Sequence, residues 1–271
     1  MKIDLHNHTF YSDGKYSPKE LVLRAKRNGV DVFALTDHDS VFGCDEIAEI
    51  GADYGIKVIK GIELSTYYKG ESIHIVGLFK NNIIPDDLKE FSFLHLEQRR
   101  QRAIEMMKKI KDIYDLKMNI EDLIENSKVI TRANMLNHIM KYNNMTREEA
   151  IPYISNKSKA YIPSTKMSVE DGLKMLRKAD CVVILAHPCL YTESYLDDIL
   201  SLGFDGMEVK YPSPKNDEAK MRKYQEKYHI LPSAGSDCHG EGDGIVGDHG
   251  DIGTSTLTEE EFLPIKKLLN L

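Results

Sequence analysis

Val182-Val183-Ile184-Leu185-Ala186-His187-Pro188, residues 182–188, decides the fold: five apolar residues in unbroken succession end on a histidine and a proline. A strand with one wet face alternates apolar and polar residues, whereas a strand buried on both faces runs continuously apolar. This stretch therefore predicts a strand in a sheet covered on both sides, with a polar group delivered at its carboxyl end. Taken from residue 181 to 187, it is one of seven strand-like runs, several of them continuous rather than alternating. The others are Lys2–His6, Val30–Asp37, Lys57–Glu63, Ser72–Phe79, Gly206–Lys210 and Ile230–Asp237. Helix-like stretches separate them. Ser17-Pro18-Lys19-Glu20 offers an N-cap, a first-turn proline and a nearby acid, and Asn28-Gly29 closes that helix. Residues 168–179, 192–202 and 214–228 read the same way, and Lys69-Gly70 reads as a hairpin turn. Strands alternating with helices over this length give an α/β layer fold, either an open sheet or a barrel.

Residues 88–160 break that rhythm. They hold a long amphipathic helix at 86–114, which begins just ahead of the break, and shorter ones near 120–126, 132–142 and 146–155, with no strand. The organisation expected is a barrel or sheet domain from 1–87 and 161–271, with an all-helical insertion at 88–160 acting as a lid. Charge separates the same two parts. The 271 residues carry 36 Lys and Arg against 43 Asp and Glu, a net −7; the insertion has 14 of the basic and 10 of the acidic residues and is +4, leaving −11 elsewhere. An acidic chain does not suit general binding to duplex DNA. No apolar run is long enough to span a bilayer, and Met1-Lys2-Ile3-Asp4 does not start a signal peptide. Four cysteines form no CxxC pair, so neither a disulfide scaffold nor a cysteine zinc finger is indicated and a reducing cytoplasm is the expected compartment.

Six of the ten histidines stand at acid-flanked positions at the carboxyl ends of the strand-like runs. The first run leads into His6-Asn7-His8 and then Ser12-Asp13-Gly14; the second ends Asp37-His38-Asp39; the third ends on Glu63; the fourth carries His74; the fifth ends on His187; the seventh ends Asp237-Cys238-His239. In parallel α/β folds the carboxyl ends of the strands form the rim where active sites are built. In His6-x-His8 and Asp237-x-His239 the partners project to one side of an extended chain. Imidazoles and carboxylates without thiolates suit manganese, iron or zinc, and nine candidate ligands exceed the needs of one tetrahedral ion, so two or three divalent ions are expected.

The stretches DLHNHTFYSDG at 4–14, ALTDHDS at 34–40, GIELS at 61–65, AHP at 186–188 and GSDCHG at 235–240 resemble the PHP (polymerase and histidinol phosphatase) family of metal-dependent phosphoesterases. YIP at 161–163, GFDGMEVKYPS at 203–213 and the helical insertion are similar to its stand-alone branch of nucleotide phosphatases and 5′-3′ exonucleases. The resemblance implies a distorted seven-stranded β/α barrel, TIM-like, and three metals. His6, His8, Glu63 and Asp237 would hold the first; Asp13, His38 and His239 the second; His74, His187 and a bridging Glu63 the third. The implied activity is hydrolysis of phosphate esters of nucleotides, such as a nucleoside 3′,5′-bisphosphate or a short 5′-phosphorylated single strand. A hydroxide bridging the metals would be the nucleophile. Rival readings are a small-metabolite phosphatase such as one for histidinol phosphate, amide hydrolysis, and a non-catalytic metal-binding module; the presence of all nine ligand positions speaks for activity.

Fewer signals mark the surroundings. Asp37, beside His38, is expected to orient an imidazole through its second nitrogen, with Asp39 the alternative. Related proteins place a phosphate-binding arginine near the start of an insertion helix, which points to Arg132 in the context Thr131-Arg132-Ala133-Asn134. Tyr211 and Ser213, after the sixth run, are candidates to line the substrate side, the tyrosine by stacking on a base. Arg99, Arg100 and Arg102 belong either to a solvated helix face or to a basic lid that guides phosphate. His249 has no ligand-like context, and the eleven methionines read as core filler.

Overall fold

The structure, a computed structural model, describes residues 1–125, 130, 132–163, 167–240 and 249–271. It divides into two compact units, Met1–Ser92 with Lys166–Leu271, and Phe93–Thr165. The first unit contains β1 (Ile3–Asp4), α1 (Pro18–Arg27), β2 (Val32–Leu35), α2 (Cys44–Asp53), β3 (Lys57–Tyr68) and β4 (Glu71–Phe79). The helix α3 (Asp86–Tyr114) follows, and α4 (Ile120–Glu125), α5 (Arg132–Asn143) and α6 (Arg147–Ile154) complete the second unit. The chain then returns through β5 (Met167–Ser168), α7 (Val169–Lys178), β6 (Cys181–Leu185), α8 (Glu193–Leu200), β7 (Gly206–Lys210), α9 (Glu218–Lys227), β8 (Leu231–Ala234) and α10 (Glu259–Leu268).

The strands run in the order β1-β2-β3-β4-β6-β7-β8, with the short β5 beside β3. Backbone bonds then join the two end strands: Leu5 N–H to the Ala234 carbonyl at 3.0 Å, Asp237 N–H to that of His6 at 2.9 Å and His8 N–H to that of Cys238 at 3.0 Å. All seven predicted runs are strands of this nearly closed barrel. Two-sided burial explains the continuous apolar sequences. Val32 and Ala34 join Val182, Ile184 and Ala186 in one cluster, whereas Phe33 and Leu35 join Val183, Leu185 and the helix residues Leu21 and Ile47 in another. Alternate residues of each strand thus face the lumen and the helical shell. Phe262 and Ile265 of α10 pack into the lumen cluster.

One feature departs from an all-parallel sheet. β4 pairs antiparallel with β3 on one side and with β6 on the other. The β3–β4 turn is Lys69-Gly70, both at positive φ (44° and 97°), as a tight primed turn requires. His74 therefore reaches the rim from the first half of its strand, not from a carboxyl end, and it lies opposite Ser65. In the second unit Met106, Met107 and Met135 pack with Ile110, Leu136 and Ile139 in a separate core, as the filler reading of the methionines expected. No helix among the described residues is long and apolar enough to cross a membrane.

The capping signal read at Ser17 is present as a reciprocal box with Glu20. A second box, Thr258 with Glu261, does more than cap α10. Glu261 accepts from Lys210 Nζ of β7 at 2.8 Å and from Arg222 Nη2 of α9 at 2.6 Å, so one carboxylate ties three elements together. Burial pushes its carboxyl up, but Lys210, the Thr258 amide and Arg222 outweigh this and hold it at about 2. Its folded pKa is depressed below the ordinary value. The stabilisation is therefore present above pH ~4.5 and is lost as the pH falls toward about 2. Glu261→Gln is expected to lower Tm by about 2–4 °C at pH 7. In thermal melts the gap from the wild type narrows as the pH falls from ~4.5 toward 2; a gap independent of pH excludes this role.

Candidate metal centre

The loop after β1 is shaped from beneath by Asp4. Its buried carboxylate accepts from Asn7 Nδ2 at 3.0 Å, Ser236 N–H at 3.0 Å and Gly253 N–H at 2.7 Å. Burial nonetheless pushes its pKa up to about 6. These bonds tie the β1 and β8 ends together and present His6 and His8 side by side, with ring centroids 5.1 Å apart. Gly14 completes the loop, because a Cβ there would lie 2.7 Å from the His8 carbonyl carbon.

Glu63, on β3, is fully buried and sits at the centre. Its Oε2 lies 3.2 Å from His6 Nε2, 3.3 Å from His8 Nε2 and 2.9 Å from His38 Nδ1. Its Oε1 lies 3.1 Å from both His74 Nδ1 and His187 Nε2. Asp237 Oδ1 faces His8 Nε2 at 3.0 Å and His6 Nε2 at 3.4 Å. Asp13 Oδ1 is 3.2 Å from His239 Nε2, and its Oδ2 is 3.8 Å from His38 Nε2. All nine residues read from the strand ends are thus in one place.

The donor set fits divalent cations. His6 Nε2, His8 Nε2, His38 Nδ1, Glu63 Oε2 and Asp237 Oδ1 are fully buried, and they converge on one another at 2.9–3.4 Å in poor hydrogen-bond geometry. Such a set of converging nitrogen and oxygen atoms is what a shared cation satisfies. Atoms of His6, His8, Glu63 and Asp237 lie within 4.8 Å of one another, as do those of His8, Asp13, His38 and His239, and those of His38, Glu63 and His74. The third group differs from the expected His74, His187 and Glu63, although His187 approaches the same Glu63 oxygen as His74 does. A fourth group, Asp237, His239 and His249, was not foreseen.

Without a cation the imidazoles balance the carboxylates. Burial would push His38 down, but Glu63 and Asp13 outweigh it and raise it to about 10. Burial, with His239 and His38 close by, lowers His8 to about 3, the neutral form that a metal requires. Burial would raise the Glu63 carboxyl, yet His38, His6 and His74 hold it well below the ordinary range.

Several predicted residues are placed differently from their expected roles. Asp37 accepts from Thr9 N–H at 2.7 Å, Thr9 Oγ1 at 2.6 Å and Ser12 Oγ at 2.6 Å. It braces the loop leading to Asp13, and the His38 ring is not among its hydrogen-bond partners. Asp39, at φ 52°, accepts from Ser65 N–H at 2.8 Å. Asp237 has φ 51°, so a left-handed turn, not an extended chain, aims Asp237 and His239 at one centre. Tyr211 is 5% exposed and donates to Asp237 Oδ2 at 2.8 Å, which removes its ring from base stacking. Buried Ser213 accepts from Lys215 N–H at 3.2 Å.

In the second unit, Arg132 is exposed, donates to Asn156 Oδ1 at 2.7 Å and lies 5.8 Å from the Tyr161 ring centroid. Arg102 donates to the Ile162 carbonyl at 2.7 Å and lies 5.6 Å from the same centroid. Thr131 falls outside the described residues. Two residues at the centre were missed. His249 Nδ1 lies 2.9 Å from Asp237 Oδ2; it falls in none of the strand-like runs, so no pattern marks it. Glu208 Oε1 lies 2.9 Å from His6 Nδ1. Its signal was legible: a single acid inside the strand-like run Gly206–Lys210.

Comparison with known proteins shows where the chain and its fold belong. A 5′-3′ exoribonuclease of Haemophilus influenzae is 31% identical over 88% of this chain and 90% of its own length. A 3′,5′-nucleoside bisphosphate phosphatase of Chromobacterium violaceum is 29% identical over 89% of this chain and 88% of its own. The fold matches a solved structure described as a metal-dependent phosphoesterase from Bifidobacterium adolescentis, with a TM-score of 0.81, 24% identity and coverage of 98% and 96% of the two chains. The sequence pattern of the PHP domain itself matches residues 4–170, and the chain belongs to the PHP domain family.

Proposed function

We propose that this phosphoester hydrolase acts on nucleotides, releasing phosphate from a nucleoside 3′,5′-bisphosphate or from short 5′-phosphorylated single strands, at a centre of three divalent ions of manganese, iron or zinc. The observation that carries the reading is the convergence of five buried nitrogen and oxygen atoms, Glu63 Oε2 among them, approaching one another at 2.9–3.4 Å. The names of the two relatives above support the substrate class. Phosphate esters resist attack because their anionic oxygens repel a nucleophile. Divalent ions, when bound, lower the pKa of a water and neutralise phosphoryl charge.

The chain's own groups do the rest. His6, His8, Glu63 and Asp237 would hold one ion; Asp13, His38 and His239 a second; His74 and His187, with Glu63 shared, the third. Glu63 suits a bridging role because each of its oxygens faces a different set of imidazoles. Asp37 holds the Thr9–Ser12 backbone that carries Asp13. Arg132 would bind a second phosphate or the 5′ end, since a guanidinium offers two parallel donors to an oxyanion. The +4 balance of residues 88–160 suits an anionic substrate, while the −7 of the whole chain opposes a duplex-binding surface. Four free cysteines, three of them buried, suit a reducing cytoplasm.

Chelation with EDTA is expected to abolish activity, and reloading with manganese or zinc to restore it. On the reloaded enzyme, phosphate release from a nucleoside 3′,5′-bisphosphate should exceed that from histidinol phosphate by roughly tenfold or more in kcat/KM, a difference of about 1.4 kcal/mol. The reverse order would replace the nucleotide reading with the metabolite one. Arg132→Ala should raise KM for the nucleotide about tenfold, as loss of one charge-assisted bond does, and leave KM for an aryl phosphate unchanged. Equal effects on both substrates would remove Arg132 from the phosphate site.

A further inference from the structure

β7 is the strand whose contribution stands apart. β1, β2, β3, β4, β6 and β8, or the turns that follow them, each deliver at least one of the nine candidate ligands. β7 delivers none, and among the described residues Glu208 belongs to no group able to hold a metal. Yet Glu208 is 1% exposed, an expensive place for a carboxylate unless its oxygens are engaged. Both are. Oε1 meets His6 Nδ1 at 2.9 Å, and Oε2 accepts the backbone N–H of His187.

We propose that Glu208 and Tyr211 are positioning residues, and that β7 orients ligands carried by three other strands. The inference rests on the reading that the Glu63 cluster holds divalent ions. A carboxylate on His6 Nδ1 keeps the ring proton on that nitrogen and leaves the Nε2 lone pair facing Glu63 and Asp237. The second oxygen holds His187 in a backbone conformation of φ 28°, ψ 54°, a region that costs a side-chain-bearing residue about 1–3 kcal/mol and persists only where its surroundings impose it. Tyr211 treats Asp237 in the same way. Its hydroxyl donates to Oδ2 at 2.8 Å, which turns Oδ1 toward His6 and His8.

The backbone explains how one strand reaches both targets. Residues three apart on a regular strand point to opposite faces. The pairing of β7 with β8 shifts register between Glu208 and Lys210, so that Glu208 faces Ser233 and Lys210 faces Ala234. This irregularity absorbs one residue and brings Glu208 and Tyr211 to the same side. The fit is close. A Cβ on Gly235 would lie 2.2 Å from His6 Cβ and 2.5 Å from Glu208 Oε1, so the His6–Glu208 pair packs directly against the backbone after β8.

Both substitutions conserve shape: Glu208→Gln removes the charge and leaves one acceptor for two donors, and Tyr211→Phe removes the donor to Asp237. Three measurements on the full chain test the idea: thermal unfolding, Mn²⁺ affinity by calorimetry, and side-chain NMR of His6 in protein loaded with diamagnetic Zn²⁺. Both variants are expected to melt within a few degrees of the wild type and to bind Mn²⁺ about 10–100-fold more weakly. The Nδ1–H proton of Zn²⁺-loaded His6 should also shift upfield in Glu208→Gln, as it loses its charged acceptor, a change that a merely structural role would not produce. Should Glu208→Gln fail to fold, Tyr211→Phe decides alone. Variants that bind Mn²⁺ as tightly as the wild type overturn this inference and leave the metal centre standing. A wild type that takes up no divalent ion overturns the metal reading and this one together.

Discussion

A buried carboxylate shared among five imidazoles is the constraint on which the rest of this structure depends. Glu63 has no solvent exposure, and its two oxygens face His6, His8 and His38 on one side and His74 and His187 on the other. An unpaired charge in that position would be prohibitively costly. The five imidazoles come from four parts of the barrel: His6 and His8 from the turn after β1, His38 and His187 from the ends of β2 and β6, and His74 from the first half of β4. β4 contributes in its own way: running backward from Lys69-Gly70, it brings His74 within reach of Glu63 from its first half.

The remaining ligands depend on closure of the sheet. Asp237 and His239 follow β8, and they meet His6 and His8 only because β1 and β8 exchange backbone bonds from Leu5 to Cys238. Asp4 reinforces this seam by accepting amides from both Ser236 and Gly253. The two cores divide the labour below the rim. Alternate strand residues fill the lumen, with Phe262 and Ile265 packed among them, and the others bind the helical shell. The apolar burial of the barrel thus offsets a polar cluster that, without a cation, leaves several atoms unsatisfied.

Much of this was legible because the chemistry sits where the pattern changes. A buried strand is a run of apolar residues, so a histidine or an acid at its edge stands out, and the nine ligand positions were visible for that reason. The hidden parts have equally physical causes. β5 is two residues long and carries no period. Asp37 and Tyr211 have residue types that suit catalysis and stacking, but their partners, Thr9 with Ser12 and the far oxygen of Asp237, are set by tertiary contacts that no local pattern encodes. Asp237 and His239 were paired for a reason that does not hold: the two-residue spacing presumed an extended chain, and a left-handed residue does the work instead. His249 stands outside every run of the sequence with a period of two or of 3.6.

Glu208 is the instructive case. An acid within a short buried strand conflicts with the burial its neighbours demand, and such conflicts concentrate at sites where function overrides local preference. Its position follows from what a ligand imidazole requires. A ring with two nitrogens can offer either one, and a cluster of five rings around one carboxylate has many arrangements of nearly equal energy. An acceptor fixed behind Nδ1 removes that degeneracy for His6, and a donor behind Oδ2 does so for Asp237. Orientation of this kind must come from an element that is not itself a ligand, because a residue bound to the ion moves with it. A strand lying between two ligand-bearing strands, rigidly paired on both sides and bulged to turn two side chains inward, meets that requirement.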